Sequence, residues 1–358
     1  MKIVHELNQL DYGGVEKVIR NIAKFDKANE HFIIAYKDGK YRGKLEEVGI
    51  KIFLVNEHED HPEDFEADVI HVHSGGGVSN LALNIGHDFP VVETIHSPVR
   101  SALPAEFVYQ RVGVSDAVAR MNHNAITIKN GIDIDEMDPK IDRETIMSRM
   151  GWDPSKPVIG RLGRLGKDKG LEEWILTCYY LQQEGFDFTP VIIGGEARDC
   201  DGYRGKLKLM CESLPVKGVV WLANTNDISE YMQCMDIFLY PSATEGFGLV
   251  LIEAIINGCM VVSYDNDVNR EIIGGYSVLV DQKKGIQGLV EGVKKCLNTE
   301  LKDAILGSQV DFVMSEYDAE RMSHEYQELY ERCYADFNRK VKSQAADFVS
   351  VGADGSIV

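Results

Sequence analysis

The sequence predicts an α/β protein made of two domains, each a parallel sheet flanked by helices, facing one another across a cleft. Three observations carry this reading. Short apolar runs rich in β-branched residues alternate with longer amphipathic stretches, the sequence form of repeated βαβ units. That rhythm breaks once, between residues 134 and 157, and then restarts. A chain of 358 residues also exceeds what one hydrophobic core organises, so two domains of roughly 150 to 180 residues are expected.

In the first half, strands are expected near residues 2–7, 31–36, 51–55, 68–73, 91–96, 111–114 and 125–129, with a helix after most of them. Acidic residues, Pro139 and then Gly151-Trp152-Asp153-Pro154 mark the hinge, giving domains 1–150 and 151–318. Strands resume near 157–162, 190–194, 219–222, 237–240, 260–263 and 278–280. Residues 319–342 are strongly helical and are expected to cross back onto the first domain. Residues 343–358, small and polar with scattered valines, read as a loose tail. No repeat of 20 to 50 residues is present, which removes solenoid folds.

Hydrophobic residues make up 44% and charged residues 27%, the balance of a soluble protein with an ordinary core. The formal charge of −19 repels polyphosphates and speaks against a nucleic-acid partner. Residues 17–51 are locally rich in Lys and Arg. In their first part Val15, Val18, Ile19 and Ile22 share one helix side, and Lys17, Arg20 and Lys24 the other. This reads as a solvated helix face, with contact to an anionic membrane surface as the lesser alternative. All seven cysteines (178, 200, 211, 234, 259, 296, 333) lie in the second half at irregular spacing, as free thiols of a reducing compartment. No apolar run approaches the roughly 18 residues of a membrane span, and Met1-Lys2-Ile3-Val4 begins a strand rather than a signal peptide. The expected location is the cytoplasm, at most peripheral to the inner membrane face.

The stretch most informative about chemistry is Pro241-Ser242-Ala243-Thr244-Glu245-Gly246-Phe247-Gly248, followed by Leu249 to Ala254. It joins a buried strand to a helix, with Gly246 and Gly248 at the turn and backbone N–H groups open to an anion. Glu253 follows two turns later. Fixed carboxylates suit diols, which need paired acceptors, so Glu245 is expected at a transferred sugar and Glu253 at a ribose. The plainer alternative makes Glu245 a helix cap and Glu253 a surface carboxylate.

A second stretch, Ile159-Gly160-Arg161-Leu162-Gly163-Arg164-Leu165-Gly166-Lys167-Asp168-Lys169-Gly170, also joins a strand to a helix. Its glycines fall at intervals of three, unlike the NAD fingerprint, and Asp168 stands where a P-loop needs Ser or Thr. Paired glycines recur at Gly13-Gly14, between the first strand and first helix. His96 closes the fifth strand, at the end where ligands gather in open α/β sheets. His71 and His73 share a strand face, but the sequence offers no third ligand at metal spacing. His73 and Ser74, with the stretch to Gly77, are candidates for the acceptor side.

The segment from Glu245 to Glu253 closely resembles the Glu-x7-Glu motif of glycosyltransferase family 4, whose members have the GT-B fold of two Rossmann-like domains. The loop from Gly160 to Gly170 is similar to that family's Gly-Arg-Leu-x-x-x-Lys-Gly element, with Arg164 and Lys169 in the matching places. Smaller likenesses include Val112-Gly113-Val114-Ser115-Asp116, Lys129-Asn130-Gly131-Ile132-Asp133, Ile192-Ile193-Gly194-Gly195-Glu196, and Asp265 through Glu271 with Gly274-Gly275. The resemblance implies a retaining transferase that moves a sugar from a nucleoside diphosphate donor, most simply a UDP-sugar. The acceptor would be a carbohydrate, lipid-linked or other hydroxyl, and neither metal nor cofactor is required. It implies His96, Arg164, Lys169 and Glu245 as catalytic residues. Gly13, Gly14, Gly194, Gly246, Phe247, Gly248 and Glu253 would bind the donor. Ala223-Asn224, Arg161 and Gly166 depart from the usual pattern, which leaves the nucleotide base open. A non-hydrolysing nucleotide-sugar epimerase and a non-catalytic sugar-nucleotide-binding subunit are the competing readings.

Overall fold

The computed structural model describes residues 1–55, 66–75, 77–197, 200–225, 227–275, 277–297 and 310–352. The chain divides into two compact units, Met1–Gly131 with Ala319–Val358, and Ile132–Asp318.

The first unit runs β1 (Lys2–Leu7), α1 (Gly14–Phe25), β2 (Glu30–Ala35), α2 (Arg42–Glu46), β3 (Lys51–Leu54), β4 (Val69–Ser74), α3 (Asn80–Ile85), β5 (Val91–Ile95), β6 (Gln110–Gly113), α4 (Asp116–Arg120) and β7 (Ala125–Thr127). The strands are parallel, in the order β3-β2-β1-β4-β5-β6-β7. Both sheet faces are covered. Ile33 and Ala35 pack with Leu10, Ile19 and Leu45 in one cluster, while Phe32 and Ile34 pack with Ile70, Leu81 and Val91 in another. Burial on two sides is why these strands read as nearly continuous apolar runs.

The second unit holds α5 (Arg143–Met150), β8 (Val158–Leu162), α6 (Leu171–Gln183), β9 (Thr189–Ile193), α7 (Tyr203–Ser213), β10 (Val220–Leu222), α8 (Ile228–Met232), β11 (Ile237–Tyr240), α9 (Leu249–Ile256), β12 (Met260–Tyr264), α10 (Asp267–Ile273), β13 (Val278–Val280) and α11 (Gly285–Cys296). Its parallel sheet has the doubly wound order β10-β9-β8-β11-β12-β13. A core around the fully buried Trp174, Ile175, Leu239, Val262 and Val293 lies beneath it. Every strand expected from the sequence is present, within two residues at each end.

Three expectations need correction. Residues 132–150 belong to the second unit, not the first. Arg143 at the start of α5 donates to Gln233 O at 2.9 Å and to Asp236 at 3.1 Å. Gly151, left-handed with φ of 65°, ends that helix; the Gly-Trp-Asp-Pro stretch stops a helix instead of linking domains. The final helix, Ala319–Gly352, continues where a loose tail was expected from residue 343, since no Pro or Gly interrupts the chain before Gly352. Residues 353–358 of that tail lie outside the described residues. Finally, Arg20 is buried, not on a solvated face. The C-terminal helix packs its buried Met322, Tyr326, Leu329 and Tyr330 into the first unit, with Ser323 Oγ donating to Ile22 O of α1 at 2.8 Å. The side of α1 that looked solvated is therefore partly covered.

Candidate functional site

In a doubly wound sheet, ligands bind beyond the carboxyl ends of the strands where the order reverses. In the second unit that point lies between β8 and β11. The loops leaving these strands are 163–170 and 241–248, the two stretches singled out by sequence. They interlock. Gly170 has φ of +64°, and a Cβ there would stand 2.0 Å from Pro241 O, so only glycine allows the approach. Ser242, fully buried, donates to Asp168 O at 3.2 Å. The β9 loop joins them through Gly163 N–H to Ile193 O at 3.0 Å and Leu165 N–H to Gly195 O at 2.7 Å.

The consequence is an ion pair at the switch point. Lys169 Nζ donates to Glu245 Oε1 at 2.8 Å, with side-chain exposures of 15% and 9%. Tyr240 OH donates to the same oxygen at 2.9 Å. Burial and then the Glu245 charge hold the Tyr240 phenol well above its ordinary range, so it stays a donor. Beneath them lies Arg161 of β8, wholly buried, its Nη2 donating to Lys169 O at 3.2 Å and its guanidinium 5.4 Å from the Tyr240 ring centre. Its Nε and Nη1 have no hydrogen-bond partner among the described residues. Burial lowers its affinity for the proton, opposed by the nearby Tyr240 and Glu245 oxygens.

The other sequence candidates fall into two groups. Arg164 lies on the β8 loop, exposed. Gly246 and Gly248 shape the turn into α9, and Glu253 is buried on that helix rather than surface-exposed. Phe247 packs edge-on against Tyr317 and is buried, so its side chain serves the packing of the turn. Gly194 has φ of +154°, and a Cβ there would stand 1.9 Å from Gly163 O. It also accepts a hydrogen bond from Arg204. Gly13, Gly14, His73, Ser74 and His96 lie in the first unit. Gly13 precedes α1 as its N-terminal cap position, with the Glu16 carboxylate of the first turn folded back beside it. Ser74 is buried, and its carbonyl accepts from His96 N–H at 2.9 Å. Gly76, within the 74–77 acceptor stretch, lies outside the described residues.

His73 and His96 are bonded, Nδ1 to Nε2, at 3.0 Å. His5, on β1, supplies a third imidazole beside His71 and His73, and ligand nitrogens of the three lie within 4.8 Å of one another. The fit to a metal ion is poor. Both His71 nitrogens are engaged, with Tyr330 OH and Thr94 Oγ1 at 2.7 Å each, both His5 nitrogens bond other histidines, and among the described residues no carboxylate joins the three to offset a buried dication. Sequence reasoning missed Arg161 and Tyr240 as members of the site. Both sit on strands buried along their whole length, and only the loop geometry shows what they support.

Residues 142–310 match the family model described as glycosyl transferases group 1. Among curated relatives, the lipopolysaccharide core biosynthesis mannosyltransferase LpsB of Rhizobium meliloti is 25% identical over 151 residues, 42% of this chain and 43% of the relative. The phosphatidyl-myo-inositol mannosyltransferase of Mycobacterium tuberculosis is 26% identical over 226 residues, 58% and 57% of the two chains. The chain thus spans about half the length of the curated relatives it matches. Anabaena HepE, solved in complex with UDP and glucose, superposes with a TM-score of 0.79 at 19% identity, covering 92% of this chain and 99% of that one. A glycosyltransferase from Rickettsia africae gives 0.77 at 18% identity, covering 93% and 98%. The fold is GT-B. The curated relatives that the chain matches are glycosyltransferases.

Proposed function

We propose that this protein is a retaining glycosyltransferase that moves a sugar from a nucleoside diphosphate donor, UDP-linked, to an acceptor hydroxyl. The observation that carries the reading is the Lys169–Glu245 pair at the switch point of the second sheet. An ammonium has three donors; Glu245 takes one at 2.8 Å and the exposed Asp168 carboxylate stands 3.3 Å from the same nitrogen, which leaves a donor for the oxygens of a departing diphosphate. Arg164, exposed on the same loop, adds a second cation with bidentate reach. Glu245 Oε2 is left to accept from a sugar hydroxyl, and Glu253 and the glycine amides are assigned to the nucleotide. Two cations aimed at the growing charge do the work of a metal ion, so none is invoked.

In the reaction the bond from the anomeric carbon to the phosphate oxygen breaks, and a bond to the acceptor oxygen forms on the same face. The acceptor proton passes to the leaving phosphate, and because the new bond forms on the face the phosphate leaves, the anomeric configuration is retained. UDP is favoured by the likeness to HepE, and a carbohydrate or lipid-linked acceptor by the names of the mannosyltransferase relatives.

The test incubates the protein with labelled UDP-, GDP- and ADP-sugars, with and without sugar and lipid-linked acceptors, in buffer containing EDTA. Diphosphate release that requires acceptor and survives EDTA is expected. Acceptor-free isomerisation of the donor marks an epimerase instead, and binding without turnover a non-catalytic subunit.

A further inference from the structure

Four histidines on neighbouring strands of the first sheet form one hydrogen-bonded line. His31 of β2 bonds His5 of β1, His5 bonds His73 of β4, and His73 bonds His96 at the end of β5, each Nδ1 to Nε2 at 3.0 Å. At its start, His31 Nε2 meets Asp26 Oδ2 at 3.2 Å. Ring centres are 5.3 Å apart at each joint and the planes differ by 24° to 30°. With nitrogens 3.0 Å apart, such rings meet edge to edge, the geometry in which an in-plane N–H faces an in-plane lone pair. Register explains the line. Ile3 stands opposite His31, His5 opposite His71, and His73 opposite Thr94. Each step therefore moves two residues towards the carboxyl ends, staying on one face while crossing one strand.

We infer that Asp26, acting through His31, His5 and His73, fixes the tautomer of His96, so that His96 presents a bare Nδ1 as a hydrogen-bond acceptor. Asp26 can only accept. It is buried and also takes hydrogen bonds from Ala28 N–H, Asn29 N–H and Asn29 Nδ2. Burial alone would raise its pKa, but the bonds from His31 and Asn29 outweigh that and hold it below the usual carboxylate value. Its partner nitrogen, His31 Nε2, must then carry the proton. A His31 imidazole that stays neutral beside Asp26 has this one N–H, so its Nδ1 is bare and His5 Nε2 must donate to it. The same argument passes through His5 Nδ1 and His73 Nε2 to His73 Nδ1 and His96 Nε2. Burial holds His5 and His73 well below the ordinary imidazole range and brings His96 down to about 4, so these rings are neutral. Among the described residues no hydrogen bond engages His96 Nδ1. Asp26 and His31 are positioning residues, remote from the end they control.

This rests on the proposed function only for what His96 meets, a sugar hydroxyl whose proton it accepts in a hydrogen bond. The tautomer itself is read without turnover, from ring ¹⁵N shifts of histidine-labelled full-length protein at a pH of about 8, above the ordinary imidazole range. The wild type is expected to show His96 protonated on Nε2 alone; a signal for Nδ1–H there overturns the inference. His31→Lys places a cation that donates to Asp26 and to His5 Nε2, so every bond in the line reverses and His96 moves to the Nδ1–H form. His31→Gln donates to Asp26 and accepts from His5, so His96 stays as in the wild type. A folded H31K protein with His96 unmoved overturns the relay, and if H31K does not fold, the wild-type and H31Q spectra decide it. With the tautomer reversed, donor kcat/KM is expected to fall about tenfold, the worth of one well-placed hydrogen bond. A reversed tautomer with unchanged kcat/KM leaves the relay standing and removes His96 from the sugar.

Discussion

Lys169 Nζ and Glu245 Oε1 stand 2.8 Å apart although 76 residues separate them in the chain, and both side chains are largely withdrawn from water. The pair is charge-assisted and shares its acceptor oxygen with Tyr240. If Lys169 neutralises the leaving diphosphate, Lys169→Ala should lower kcat by about 10² to 10³, the scale of losing one electrostatic contact to a transition state. Stability should change far less, because Glu245 keeps Tyr240. Steady-state kinetics beside thermal unfolding read the two effects separately, and unchanged turnover would remove Lys169 from the chemistry.

Glu245→Gln tests the other partner. The amide oxygen still accepts from Tyr240, but Lys169, 15% exposed, loses its buried countercharge and keeps the exposed Asp168 carboxylate at 3.3 Å. The expected cost is about 1 to 3 kcal/mol of folding stability, measured by denaturant titration. The donor KM should rise as well, since the neutral amide is a poorer acceptor for a sugar hydroxyl.

Arg161 gives a different split. Its guanidinium is fully buried with two nitrogens unpartnered among the described residues, a costly state for a charge. Arg161→Met fills similar volume without that cost, so stability should stay within about 1 kcal/mol of wild type. Turnover should nevertheless fall at least tenfold, because the Lys169 carbonyl loses its donor and the Tyr240 ring its cation. A variant that loses stability in proportion to activity would make Arg161 purely structural.

The seven thiols offer a probe independent of turnover. All are free, and all but Cys200 are buried. Burial pushes Cys211 and Cys234 up to about 11 and Cys296 to about 12, so at pH 8 their nucleophilic thiolates are scarce. A chromogenic disulfide should therefore titrate one thiol quickly in the native protein and all seven after unfolding. Several fast thiols in the native state would contradict the packing around α6, α7 and α11.

What the sequence disclosed and what it hid follow from the range of the interactions. Strands such as Ile237–Tyr240 were legible because burial on both faces leaves a local apolar run. Lys169 and Glu245 were legible as separate motifs, each set by its own turn glycines. The histidine line was not, because His5, His31, His73 and His96 become neighbours only once strand order and register are known. The unit boundary was misjudged for a related reason. Pro139 and Gly151 look like linker residues locally, while the contacts of Arg143 with Gln233 and Asp236, about 90 residues on, tie that segment to the second unit.

Gly170 connects backbone geometry to the site and yields the last prediction. Its left-handed φ of +64° disfavours any other residue, and a Cβ would press on Pro241 O from 2.0 Å. A flexible side chain at that distance would give way, but Pro241 is backbone, fixed by the end of β11 and by Ser242 bonded to Asp168 O. Gly170→Ala should thus cost more than about 1 kcal/mol, beyond the ordinary price of forcing alanine to positive φ, because the two loops must part. Parting them also separates Lys169 from Glu245, so activity should fall more steeply than that of Gly151→Ala, which has a similar φ of +65° and open space around its Cβ. Measuring both variants for unfolding midpoint and kcat separates the cost of the dihedral from the cost of the clash; equal effects would mean the loops are not held against each other.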